Sequence, residues 1–176
     1  FPSMPIGFWN DDDSSKYISA YFKKFEGVWT HGDYLEITEN GGAIIYGRSD
    51  TTLNPGGVRI GTAEIYRSIE NFDEVLDSVV IGRPEGSDVS IVLCLKLIDG
   101  ISITKDLEEK IKAQIRKSTT PRHVPKYIFQ VSDIPYTISG KKVEKAVLHA
   151  TLGKSVKNKD ALINPDSLKE FSSLPF

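Results

Sequence analysis

Three short segments of this sequence carry residues able to do ionic chemistry. The first, Trp29-Thr30-His31-Gly32-Asp33, ends on a carboxylate that follows a glycine. The second, Tyr46-Gly47-Arg48-Ser49-Asp50, sets a guanidinium two residues before another carboxylate and runs on to Gly56-Gly57-Val58-Arg59-Ile60. The third, Ile134-Pro135-Tyr136-Thr137-Ile138-Ser139-Gly140-Lys141, ends on an ammonium presented by a Ser-Gly turn. An ionised carboxylate such as Asp33 accepts hydrogen bonds through two oxygens, which suits a pair of hydroxyl donors. It equally suits a turn in which the Asp bonds its own backbone. The rigid fork of Arg48 can grip a ligand's oxygens or sit in a weak surface salt bridge. Gly56 and Gly57 are sufficiently explained as turn residues. Lys141, with Lys142 and Lys145, is either one placed cation beside two solvated neighbours or part of a basic exposed face.

The elements that must position these residues are legible from periodicity. Tyr34–Ile37 and Ala43–Tyr46 flank Asn40-Gly41-Gly42, whose tolerance of positive φ marks a tight hairpin. A second turn falls at Asn54-Pro55-Gly56-Gly57. Thr62 starts a helix whose Ile65, Ile69 and Phe72 make one apolar stripe. Ser78–Gly82 is a short apolar run, and Val89, Ile91, Leu93, Leu95 and Leu97 alternate as in a half-buried strand. A second helix starts near Thr104, with Leu107, Ile111 and Ile115 on one side. Arg116 stands at its polar end, where a cation also complements the helix dipole. Tyr127–Val131 reads as a strand, and Val143–Leu152 as a last helix. Strands interleaved with three helices predict a small α+β domain over residues 51–152. Residues 1–33 are aromatic and acidic, with an exposed loop at Asp11–Ser15. The tail from Gly153 is polar, carrying Lys154, Lys157 and Lys159 and then Leu162, Leu168 and Phe171.

Composition narrows the function class. The chain has 176 residues, 39% hydrophobic and 26% charged, with a formal net charge of −2. No global basic field draws it to nucleic acid or membrane, and no apolar run approaches the roughly 18 residues of a membrane span. The Lys141–Lys159 region lacks the interleaved aromatics of a nucleic-acid surface. The one cysteine, Cys94, lies on the alternating strand and reads as a core residue in a reducing compartment. The start, Phe1-Pro2-Ser3-Met4-Pro5, has no signal-peptide pattern and no initiating Met, which leads to the expectation of a piece of a longer protein.

In this order, about 17 and then about 90 residues apart, the three segments resemble the late motifs of the adenylate-forming enzymes: acyl-CoA synthetases, peptide-synthetase adenylation domains and luciferases. Within that superfamily the chain is most similar to the acetoacetyl-CoA synthetases. That likeness rests on Phe1 to Trp9, on Gly27-Val28-Trp29 before His31-Gly32-Asp33, on Pro121-Arg122-His123-Val124-Pro125, and on the tail with Leu168 to Phe171. The resemblance implies the small α+β C-terminal domain of these enzymes, a short β-hairpin plus a three-stranded sheet with helices, at residues 51–152. Before it would stand the tail end of the large N-terminal domain (1–50), with the nucleotide-contact loop and the hinge. After it would come a C-terminal extension (153–176).

The resemblance also implies roles. Asp33 would hold the ribose hydroxyls of ATP, and Arg48 and Arg59 would contact the nucleotide. Asp50 would be the hinge about which the small domain turns between two half-reactions. Gly57 would leave room for the pantetheine arm of CoA. Arg116, 25 residues before Lys141, would lie near the CoA nucleotide. Lys141 would be catalytic, offsetting charge as a carboxylate attacks the α-phosphate. Tyr66 departs from the Glu found in many relatives after Glu64-Ile65. The Ser/Thr/Gly-rich loop that wraps the β- and γ-phosphates has no counterpart here, nor has the acid pocket. The expectation is therefore a cytosolic acetoacetate–CoA ligase completed by an N-terminal domain, with Mg2+ held with ATP mainly by that domain. No residue of this chain is expected to ligate a metal, and the chain alone should be unable to adenylate. A ligase for acetate or another short acid, and a non-catalytic binding or regulatory module of the same fold, remain open.

Overall fold

A computed structural model describes residues 2–156 and 158–176. Phe1, which opens the N-terminal resemblance, and Lys157, counted among the tail lysines, lie outside the described residues. The chain divides into two compact units, one ending at Asp33 and the other Tyr34–Phe176.

The first unit holds helix α1 (Ser15–Tyr21), which periodicity did not reveal because it is short and buries none of its residues. Its start is made by the acidic loop. The Asp11 carboxylate accepts the N–H groups of Lys16 and Tyr17 at 2.9 and 2.8 Å, satisfying orphan donors of the first turn. Phe8, Tyr17 and Tyr21 pack as an aromatic cluster with ring centroids 5.4–5.7 Å apart.

The expected hairpin follows, β1 (Asp33–Ile37) and β2 (Ala43–Arg48), all but its first residue in the second unit. Its turn is closed by Thr38 N–H to the Gly42 carbonyl at 2.8 Å, with Gly41 at φ +76°. Helix α2 (Thr62–Ile69) follows, opened by a capping interaction in which the Glu64 carboxylate accepts Gly61 N–H at 3.0 Å. Strands β3 (Val75–Glu85) and β4 (Asp88–Leu97) form an antiparallel hairpin, and β5 (Tyr127–Gln130) adds parallel to β4, giving the order β3-β4-β5. Helix α3 (Lys105–Ser118) makes the crossover that a parallel pair requires. Its Thr104 cap accepts Leu107 N–H at 3.2 Å. Helix α4 (Glu144–Thr151) and the single turn α5 (Leu168–Phe171) complete the unit.

This sheet corrects one expectation. Strand β4 is not half-buried: Ile91, Val92, Leu93, Cys94 and Leu95 are all buried. It is the central strand, so both its faces are covered. Ile91, Leu93 and Leu95 join α2 (Ile65, Ile69) and α3 (Leu107, Ile111, Ile115) in one core. Val92 and Cys94 join a second core with Val147 and Ala150 of α4. Burial pushes the Cys94 thiol up to about 12, in keeping with an inert core residue. The tail is also less solvated than its lysines suggest. Leu162, Leu168 and Phe171 are buried in the second core, and Phe171 is fully enclosed. Among the described residues no helix is long and apolar enough to cross a membrane.

Candidate active site

The segment carrying Lys141 leaves β5 through the buried Val131 and Ile134, turns at Thr137–Lys141 and enters α4. The turn is held by its own backbone. Gly140 N–H donates to the Thr137 carbonyl at 2.8 Å, Lys141 N–H to Thr137 Oγ1 at 3.0 Å, and Thr137 N–H to the Lys141 carbonyl at 2.9 Å. Gly140 has φ +75°, which a side chain would resist. Tyr136 and Lys142 pair across the turn as an antiparallel bridge. Successive residues of extended chain face opposite ways, so the adjacent lysines diverge. Lys141 is exposed, and its ammonium has no hydrogen bond or ion pair among the described residues.

Lys142 turns inward, against the expectation that it is solvated. Its ammonium meets the Asp77 carboxylate at 2.7 Å and donates to the Ser78 carbonyl at 2.6 Å. It also lies 4.7 Å from the Tyr66 ring centroid, a cation–π contact. The Tyr136 hydroxyl donates to the other Asp77 oxygen at 2.8 Å. Tyr66 donates its hydroxyl to Glu144 at 2.6 Å and accepts Val80 N–H at 3.0 Å. Burial, and then the Glu144 carboxylate, push the Tyr66 hydroxyl well above the usual phenol range. Burial and the bond to Asp77 push Tyr136 the same way. A polar network thus fastens both flanks of the turn to β3 and α2 while leaving Lys141 projecting.

Lys141 opens onto a cleft of about 680 Å³ that Arg48, Asp50, Thr51, Lys145 and His149 also line. Arg48 Nε reaches Asp50 Oδ1 at 3.4 Å, and the other Asp50 oxygen lies 3.8 Å from the exposed Lys145 ammonium. The hydroxyls of Thr51 and Thr52 donate to the Arg48 carbonyl at 3.5 and 3.0 Å. The structure therefore gathers three of the sequence-predicted residues, Lys141, Arg48 and Asp50, at one cleft.

The others lie elsewhere. Gly57 ends a tight turn, Pro55–Gly57, in which Gly56 has φ +56° and Gly57 φ +79°. Antiparallel bonds between Leu53 and Ile60, at 2.9 and 3.0 Å, close the loop. The Asp88 carboxylate accepts Gly56 N–H at 2.8 Å, and a Cβ on Gly56 would sit 2.5 Å from the Arg122 guanidinium. A Cβ on Gly57 would meet nothing within 4 Å, so that glycine presents bare backbone to open space. Arg59 lies over the Tyr34 ring at 5.6 Å. Arg116 is exposed in the last turn of α3, with no side-chain partner among the described residues. None of Gly57, Arg59 and Arg116 lines the Lys141 cleft. Asp33, in the first unit, pairs its carboxylate with His31 Nδ1. Sequence reading missed Asp77, Tyr136, Glu144 and the inward role of Lys142. The one available signal was the alternation that sends neighbours of extended chain to opposite sides.

Residues 67–141 match the AMP-binding enzyme C-terminal domain, and the match ends on Lys141. The chain is 53% identical over 174 residues to an acetoacetyl-coenzyme A synthetase of Rhizobium meliloti, covering 99% of this chain and 27% of that protein. It is 48% identical over 176 residues to an acetoacetyl-CoA synthetase of Xenopus tropicalis, covering 99% and 26%. A solved acetoacetyl-CoA synthetase from Streptomyces lividans matches with a TM-score of 0.89 at 39% identity, over 98% of this chain and 26% of that one. The chain spans about a quarter of the length of these curated relatives. With a domain match that runs up to the projecting lysine, and likeness along almost every residue, the chain carries an AMP-binding enzyme C-terminal domain at residues 67–141 and is similar throughout to the C-terminal portion of acetoacetyl-CoA synthetases.

Proposed function

We propose that this chain is the mobile C-terminal portion of a cytosolic, AMP-forming acid–CoA ligase that joins acetoacetate to CoA at the expense of ATP. The observation that carries the reading is the exposed Lys141, held on a braced turn at the cleft that Arg48 and Asp50 line.

In the first half-reaction a carboxylate oxygen of the acid attacks the α-phosphorus of ATP, and the bond to pyrophosphate breaks. Two anions must approach, and negative charge grows on the phosphoryl and leaving oxygens. The Lys141 ammonium offsets that charge from a turn that needs little reorganisation. Arg48 grips the nucleotide through its planar fork, Asp33 accepts the two ribose hydroxyls, and Arg59 lies towards the phosphates. Mg2+ accompanies ATP and is held mainly by the N-terminal domain. Among the described residues no group of three or more His, Cys, Asp or Glu side chains is arranged to hold a metal.

In the second half-reaction the domain turns about Asp50, whose exposed contacts with Arg48 and Lys145 are weak enough to exchange. Lys141 withdraws and the Gly57 face arrives. The open space over Gly57 admits the pantetheine arm, and Arg116 meets the CoA nucleotide. The CoA sulfur attacks the acyl carbon, the bond to AMP breaks, and acetoacetyl-CoA leaves.

The test is Lys141→Ala in the full-length protein, assayed by acid-dependent ATP–pyrophosphate exchange and, separately, by thioester formation from supplied acyl-adenylate. Loss of exchange with retained thioester formation is the expected result, and equal loss of both refutes the role given to Lys141. A panel of acetoacetate, acetate and other short acids on the unmodified protein decides the substrate. Preference for acetate would replace acetoacetate in this reading without touching the site.

A further inference from the structure

The matched domain ends at Lys141, yet the chain continues, and its last residues return to the turn that carries that lysine. Residues 132, 134, 136 and 138 direct backbone groups to one side, and the returning tail meets each of them. Ile138 N–H donates to the Ala161 carbonyl, and Ile163 N–H to the Tyr136 carbonyl, both at 2.9 Å, around an antiparallel bridge of Thr137 with Leu162. Asn164 then extends the ladder with its side chain. Its Oδ1 accepts Tyr136 N–H at 3.0 Å, and its Nδ2 donates to the Ile134 carbonyl at 2.9 Å and to the Asp133 carboxylate. Glu170 accepts Ser132 N–H at 2.9 Å and the Ser132 hydroxyl at 2.5 Å. On the opposite edge of the same segment, Thr137 N–H bonds the Lys141 carbonyl. The tail is therefore the outer strand of a small arrangement whose inner hairpin presents Lys141.

The tail can bear this load because it is anchored. Leu162, Leu168 and Phe171 are buried in the second core beside Ile134 and Val147. Without the tail, Tyr136 N–H, Ile134 C=O and Ile138 N–H would lose their partners, and the turn would keep only its inner bonds and the Lys142 network. An ammonium acting on developing charge must be placed closely, since a misplacement of about 1 Å can cost on the order of a hundredfold in rate.

We propose that residues 158–176 are a brace for the adenylation half-reaction, and that Asn164 is its positioning residue. This rests on the reading of Lys141 given above. Of the brace only Asn158 lines the Lys141 cleft, and the Gly57 face lies on a different loop, so loss of the Asn164 bonds should tell on one half-reaction only.

The test uses the full-length protein with two variants. Asn164→Leu removes all three side-chain bonds to the segment. Ile163→Pro removes one backbone donor at a residue that is 65% exposed, so it costs little burial and stands in if Asn164→Leu fails to fold. Acid-dependent ATP–pyrophosphate exchange should fall by about tenfold or more, while thioester formation from supplied acyl-adenylate stays within about twofold. A parallel fall in both halves, or no fall in exchange, overturns the brace. Lys141→Ala measured alongside separates the two ideas. If that variant keeps its exchange activity, the reading of Lys141 fails. If it loses exchange while both tail variants keep it, only the brace fails.

Discussion

Replacing Lys142 by Met should destabilise the 176-residue chain by about 2 kcal/mol, while the same change at Lys141 should cost under about 0.5 kcal/mol. The ammonium of Lys142 holds the Asp77 carboxylate at 2.7 Å and the Ser78 carbonyl at 2.6 Å. Methionine keeps the apolar stem but removes both bonds. Breaking a fully buried ion pair costs about 3–5 kcal/mol, because the surviving charge is stranded. The two side chains here are 28% and 23% exposed, and Asp77 retains the Tyr136 hydroxyl and Ser78 N–H, so the loss is scaled down. Equilibrium urea unfolding followed by far-ultraviolet circular dichroism reads the difference. With a slope of about 2 kcal/mol per molar, the Lys142→Met midpoint should fall by about 1 M with the slope unchanged. In an Asp77→Asn background the same change should cost distinctly less, since no carboxylate is left unpaired. Indistinguishable midpoints for the two lysine variants would refute the division of labour between these neighbours.

Other consequences follow from the same geometry. Gly57→Leu in the full-length protein should depress thioester formation and spare pyrophosphate exchange. The positive φ of Gly57 adds a stability cost of about 1–2 kcal/mol, visible in a melt. Unchanged CoA turnover would sink the assignment of this turn to the CoA path. Tyr66 and Tyr136 have hydroxyls raised above the ordinary value of 10.0 in the folded state. The unfolded chain releases those protons first, so stability is level below about pH 10 and declines above it, by about 1.4 kcal/mol per pH unit for each group still protonated. Tyr66→Phe should make that decline shallower in urea midpoints taken across the alkaline range. An unchanged slope would mean that the Tyr66 hydroxyl is not held as described.

Local structure was largely legible in the sequence. The Asn40-Gly41-Gly42 hairpin, the α2 and α3 stripes through Ile65 and Ile111, the β4 alternation and the turn before Lys141 all depend on residues close together in the chain. Their periodicity and turn chemistry are sufficient to specify them. The separate roles of Arg48, Asp50 and Lys141 were implied by resemblance, and their gathering at one cleft came from the structure. What tertiary structure alone decided is which polar residues meet. Alternation along β4 suggested one wet face, but β5 joining in parallel and helices on both sides made it a fully covered centre strand. Lys141 and Lys142 are chemically identical neighbours. They diverge because β3 brings the Asp77 carboxylate, 65 residues earlier in the chain, beneath one of them. Asn164 looks like an ordinary turn residue until the tail folds back along Ile134 and Tyr136. Contacts between such distant residues follow from the order in which strands pair and helices cover them, and no local pattern in the chain encodes that order.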